Sequence, residues 1–191
     1  MTTYIPYVTL DSDDFIQTSA GNIIHKNSKM VNPTAIEISG GKCVLMGDTV
    51  FHCDVAPIKL DKYCIICEGC VLKPCQFIDI EAVEVQAPKY ISLSVGSYSY
   101  IGKNSVVECA VIGLGCIIGS NCTISARSVL KDHVHVEDNT VVPMDMVIPP
   151  FAVVAGNPCR IVGFVCESAS TTARTVALTR YKSFILESKA K

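Results

Sequence analysis

Aliphatic residues recur along this chain with a step of six. From Val95 they fall at Ile101 and Val107, and a five-residue step leads to Ile112. The six-residue step then resumes through Ile118, Ile124, Leu130, Val136, Val142, Ile148 and Val154. Upstream, Val44 and Val50 are six apart, as are Leu60, Ile66 and Leu72. Glycine often follows the aliphatic, as at Gly96, Gly102, Gly113 and Gly119. Four positions after it stands a small residue: Ser99, Ser105, Cys116, Cys122, Ser128, Thr140 or Ala152. Val111, Val134, Met146 and Pro158 take the same slot with bulkier groups. A period of six matches neither the helical 3.6 nor a heptad. It suits a short strand and a turn, three of which close a triangular coil of about 18 residues. The aliphatics then stack in columns inside a prism, and the small residues face inward where the prism is narrow. Asn104 and Asn121 fall at turns, where asparagine tolerates a positive φ.

The pattern resembles the hexapeptide repeat of left-handed parallel β-helices. The handedness comes from that resemblance, since crossovers are otherwise right-handed. The expected fold is all-β: one domain over residues 1–191, with the β-helix from about 36 to 160. The repeat lapses at about 73–92, where Pro74, Pro88, Asp79, Glu81 and Glu84 suggest a loop leaving the coil. From about 170 to 187 the period changes. Ala177, Leu178, Tyr181, Phe184 and Ile185 form a stripe at helical spacing, and the Ser/Thr-rich stretch 168–172 supplies N-cap candidates. One C-terminal helix is expected, lying along the prism or over its open end. Terminal coils leave unpaired edges that a helix or a partner chain must cover.

Composition narrows the function. Hydrophobic residues make up 49% and the mean hydropathy is +0.38, yet no apolar run approaches the roughly 18 residues of a membrane span. A net charge of -2 argues against a nucleic-acid partner bound through phosphates. The N-terminus, with no basic segment before a long apolar one, does not read as a signal peptide. Eleven cysteines, an odd number, are then expected to stay mostly reduced.

Few residues suggest chemistry. Cys64, Cys67 and Cys70, with Cys75 nearby, have the spacing of a metal knuckle. The repeat register sends Cys64 and Cys70 inward on successive faces and Cys67 outward, so the three diverge. His25, His52, His133 and His135 have no evident nucleophile or carboxylate partner in sequence. His133 and His135 flank the inward Val134, so both are expected to point outward as a solvated pair. No catalytic, cofactor-binding or metal-binding residue is assigned.

Two enzyme families resemble this pattern: γ-class carbonic anhydrases and hexapeptide acyltransferases. The segment 147–163, VIPPFAVVAGNPCRIVG, resembles the closing coil of both. The segment 49–60 resembles the anhydrase stretch carrying Arg-Gly-Asp, but here it reads His52-Cys53-Asp54. The anhydrase zinc-ligand positions fall on Lys73, Lys103 and Glu108, and two lysines with a glutamate do not suit zinc. A closer resemblance spans nearly the whole chain. Ile16-Gln17-Thr18-Ser19-Ala20-Gly21-Asn22, Gly41-Lys42, Asp48, Asp54, Ser128–Asp132, Asp138–Val141, Pro149-Pro150-Phe151 and Thr179–Phe184 are similar to the dynactin subunit 5 family. That resemblance implies a non-catalytic structural subunit of dynactin at its pointed end, supporting dynein-based transport and cargo attachment. The implied partners are dynactin subunit 6, other pointed-end subunits and dynein cargo adaptors, with no cofactor. The implied location is cytoplasmic, on the cytoskeleton. The alternative is a homotrimeric acyltransferase or an anhydrase-like protein, in which His133 or His135 would be the candidate base.

Overall fold

The computed structural model describes residues 8–11, 13–77 and 89–187. Most of the chain is a left-handed parallel β-helix, a triangular prism whose three faces carry nine, six and six strands. On the first face the parallel strands are Ile23–His25, Val44–Leu45, Ile65–Ile66, Tyr100–Ile101, Ile117–Ile118, His135–Val136 and Ala152–Ala155. Antiparallel strands Phe15–Gln17 and Arg160–Phe164 close its two ends. The second face runs from Lys29–Val31 to Val141–Val142, and the third from Ile36–Ile38 to Val147–Ile148. Rungs therefore begin upstream of residue 36, at Ile23, where the inward residues Ile24, Met30, Ile38 and Leu45 are unevenly spaced and break the six-residue step.

Strand register defines three inner columns. They are Ile24–Leu45–Ile66–Ile101–Ile118–Val136–Val154, Met30–Phe51–Leu72–Val107–Ile124–Val142 and Ile38–Leu60–Val95–Ile112–Leu130–Ile148. Every repeat aliphatic from Val95 to Val154 sits in one of them and is buried. Upstream the register differs by one residue from the periodic reading. Leu45 and Phe51 enter the prism, while Val44 and Val50 stand on its outside. Both residues of each pair are apolar, so the six-residue step alone does not separate them.

The small inward residues close the ladder with side-chain bonds. Ser99 and Ser105 donate to the carbonyls of Gly113 and Gly119 at 3.0 and 2.9 Å. Cys116 and Cys122 make the equivalent thiol contacts to Lys131 and Glu137 carbonyls, each at 3.1 Å. Two residues depart from that slot. The five-residue step puts Val111 on the outer surface, with Cys109 buried at the corner. Pro158 is exposed and its neighbour Cys159 is buried. Asn104 and Asn121 take φ of 54° and 56° at corners, as expected. Tyr63 and Tyr98 do the same with bulkier side chains, and their rings stack at 5.8 Å on adjacent rungs. That contact offsets a left-handed backbone that costs a non-glycine residue about 1 kcal/mol or more.

The insertion after Leu72 leaves on Cys75–Phe77 and returns on Lys89–Ile91, paired antiparallel. Asp79, Glu81 and Glu84 lie outside the described residues. Helix α1 spans Ala169–Ser183 and lies along the first face. Ser168 holds the N-cap position without a side-chain cap bond. The helix stops earlier than its apolar stripe suggests. Phe184–Glu187 turns into a strand parallel to Val8–Asp11, so Phe184 and Ile185 are extended rather than helical. Their backbone groups bond the N-terminal segment, a long-range pairing that no local period reveals. Tyr181 anchors the helix by donating its hydroxyl to the Gly21 carbonyl at 2.6 Å. No helix among the described residues is long and apolar enough to cross a membrane.

Candidate interaction surfaces

Each strand turns alternate side chains outward, so each face carries an outer column. On the first face this is Ile23–Val44–Ile65–Tyr100–Ile117–His135. It is nearly continuously apolar, and the chain covers it itself. Leu10, Ile23, Val44, Ile65 and Cys67 form a second core, packed by Phe15, Met46, Tyr100, Tyr181 and Phe184.

The other two faces have no such cover among the described residues. The second presents Lys29–Val50–Val71–Val106–Thr123–Val141. The third presents Glu37–Lys59–Ser94–Val111–Val129–Val147. The third is charged near the N-terminal end, where Lys59 pairs with Glu37 at 3.3 Å, and becomes a valine ladder toward the C-terminal end. At that end Val147 and Met144 are exposed. So is the apolar edge strand Arg160–Phe164, where Val162 is 63% and Phe164 65% exposed. Its inner side pairs with Ala152–Ala155, and no strand among the described residues covers its outer side. Flat sheets, exposed β-branched residues and an uncapped edge are features of a docking surface.

The residues considered for chemistry are dispersed. Cys64 and Cys70 point into the prism, their thiols on the carbonyls of Gly96 and Gly102 at 3.3 and 3.0 Å. Cys67 points out, with its thiol 3.1 Å from the Tyr100 hydroxyl. Burial raises the Cys67 thiol above its usual value and pushes Cys70 up to about 12, so neither offers a thiolate. Cys75 is buried at the base of the insertion. Lys73 pairs with Glu108 at 3.4 Å and Lys103 with Glu68 at 2.6 Å, so the positions matching the anhydrase ligands hold ion pairs. Among the described residues no three His, Cys, Asp or Glu side chains converge as a metal site. Asp54 is exposed beside the buried Cys53.

His133 and His135 are not a solvated pair. Both point off the prism as the register requires, but helix α1 lies over them. His133 is 8% exposed and stacks on the Phe151 ring at 5.2 Å. The repeat fixes where a side chain points and is silent on what packs over it. His25 packs edge-on to Phe15 and accepts the Asn27 amide through Nδ1, and His52 stands in a strand of the second face.

Comparison with known proteins identifies the lineage. Residues 6–189 match the family described as Dynactin subunit 5. The chain belongs to that family. Among solved structures, a hexapeptide transferase family protein from Anaplasma phagocytophilum superposes with a TM-score of 0.62 at 13% identity, covering 84% of this chain and 89% of its own. A hexapeptide-repeat acetyltransferase from Vibrio cholerae, solved with acetyl coenzyme A, gives 0.44 at 20% identity, over 76% and 69%. At 13% identity the likeness to the Anaplasma protein is one of fold alone.

Proposed function

We propose that this chain is a non-catalytic structural subunit of dynactin, held at the pointed end by its prism surfaces and supporting dynein-based transport and cargo attachment. The observation that carries the reading is the family match over residues 6–189. The surface chemistry is consistent with it. Two faces and one sheet edge offer rigid, partly apolar area, and the histidines lie beneath a helix rather than at the mouth of an open cleft. The partners are dynactin subunit 6 and other pointed-end subunits, with dynein cargo adaptors as further clients, and the site of action is the cytoplasmic cytoskeleton. Binding works by shape and by covering the exposed edge, with Val147 on the third face and Val162 and Phe164 on the edge strand as anchors.

Coexpression with dynactin subunit 6 followed by affinity capture and size-exclusion chromatography tests this. A stoichiometric complex is expected, and it should be lost in a Val162→Lys, Phe164→Glu double variant that retains its circular dichroism spectrum. A chain that ignores subunit 6 and elutes as a homotrimer binding acyl coenzyme A would overturn the reading in favour of an acyltransferase.

A further inference from the structure

Between helix α1 and the first face lies a cavity of about 370 Å³. That is within the range of small-molecule sites, roughly 300–1,000 Å³. Its floor is Ile65, Tyr100, Ile117 and His135, and its roof is Val176 and Ala177. The helix touches the prism near the middle, since a Cβ built on Gly115 would stand 3.1 Å from that of Ala173. From Ala169 to Arg180 the helix runs about 16 Å, and a volume of about 370 Å³ spread along it makes a narrow slot. A single chain of methylenes suits it, whereas a second helix, about 10–12 Å across, does not.

Arg180 is the one permanently charged residue lining the slot. Its ionisable lining comprises Arg180, His133, His135, three tyrosines and Cys166, with no carboxylate. The Arg180 guanidinium lies 4.4 Å from the Tyr100 ring centroid and pairs with no carboxylate among the described residues. An unpaired guanidinium at the rim of an apolar slot is complementary to an anionic head with an aliphatic tail. We propose that this slot binds an aliphatic carboxylate, with its chain over Tyr100 and Ile117 and its carboxylate on Arg180. The proposal does not depend on the dynactin assignment.

Two probes of equal tail length and opposite head charge, decanoate and decyltrimethylammonium, are titrated into the full chain by calorimetry. Decanoate is expected to bind once per chain, at least tenfold tighter than the cation. Val176→Phe, which fills the slot, should weaken decanoate at least tenfold. Arg180→Gln should weaken it about tenfold and leave the cation unchanged. A readout that needs no variant comes from Cys166, which lines the slot and is the one exposed cysteine of the chain. Decanoate should slow its alkylation by iodoacetamide in the wild-type chain. Absence of saturable decanoate binding, equal binding of both heads, decanoate binding undiminished in both variants, or a copurified peptide filling the slot in native mass spectra would each overturn the proposal.

Discussion

Replacing Gly102 by alanine adds one methyl group where the prism has no room for it. A Cβ at Gly102 would lie 2.5 Å from the carbonyl carbon of Gly119, 2.6 Å from its oxygen and 2.7 Å from the Ser120 nitrogen. All three are backbone atoms of the next rung, so no side chain can swing aside. Rungs are held about 4.8 Å apart by their ladder bonds, and relief requires prising two of them open. Here that would strain the Gly102 amide, which donates to the Ile118 carbonyl at 2.8 Å. Overpacking typically costs about 1–3 kcal/mol, and purely backbone contacts place this case near 3. For a chain of this size that lowers the melting temperature by roughly 6–12 °C. Gly163 is the control, because a Cβ there meets nothing within 4 Å. Gly163→Ala should be neutral or slightly stabilising, through the lost freedom of the unfolded chain. Thermal unfolding followed by far-ultraviolet circular dichroism compares the three proteins. A Gly102→Ala protein melting within about 1 °C of wild type would refute the stacked-rung geometry.

Other outcomes follow from the same geometry. Ile118→Ala empties a fully buried position of an inner column and should cost about 2–5 kcal/mol in urea unfolding, whereas the outward Val129→Ala should cost less than about 1. Arg127 grips Asp145 at two points, 2.6 and 2.7 Å, which holds the Asp145 carboxyl below its usual value. The folded value is the lower one, so the contribution is present above the unfolded value of about 3.9 and fades as pH falls through the folded one. The wild type's advantage over Asp145→Asn in urea midpoint should thus be visible at pH 5–7 and vanish toward pH 2. Iodoacetamide and intact-mass spectrometry should find one fast thiol in the native protein. That thiol is Cys166, exposed and lowered by its bond to Ser168, while burial pushes Cys116 up to about 12.

The prism was legible because its physics is local and repeated. Each strand-and-turn unit must bury one aliphatic and fit one small residue, and that demand recurs every six positions from Val95 to Val154 save for the one five-residue step to Ile112. Legibility fails where local demands coincide. At Val44-Leu45 and Val50-Phe51 two adjacent apolar residues satisfy the period equally well: Val44 is apolar because another layer covers it, whereas Val50 stands on an open face. The covering layer itself has no periodic signature. Phe184 continues the helical stripe in sequence, yet the chain there gains more from pairing with Val8–Asp11 than from another helical turn. His133 and His135 were placed on the correct side of the wall, but the slot beside them exists only because residues 169–183 fold back over it. The exposed apolar surfaces show the same limit. Val147 and Phe164 look like ordinary strand residues until the topology leaves them at an open face and an uncapped edge.

The central claim is membership of a large assembly through prism surfaces, and velocity sedimentation of a cell extract containing the tagged chain tests it most directly. The account predicts that the wild-type chain sediments with dynactin subunit 6 and the rest of dynactin. The Val162→Lys, Phe164→Glu variant should move to the slow fractions with its fold intact. A wild-type chain sedimenting alone, as a single copy or as a trimer of itself, would contradict the account.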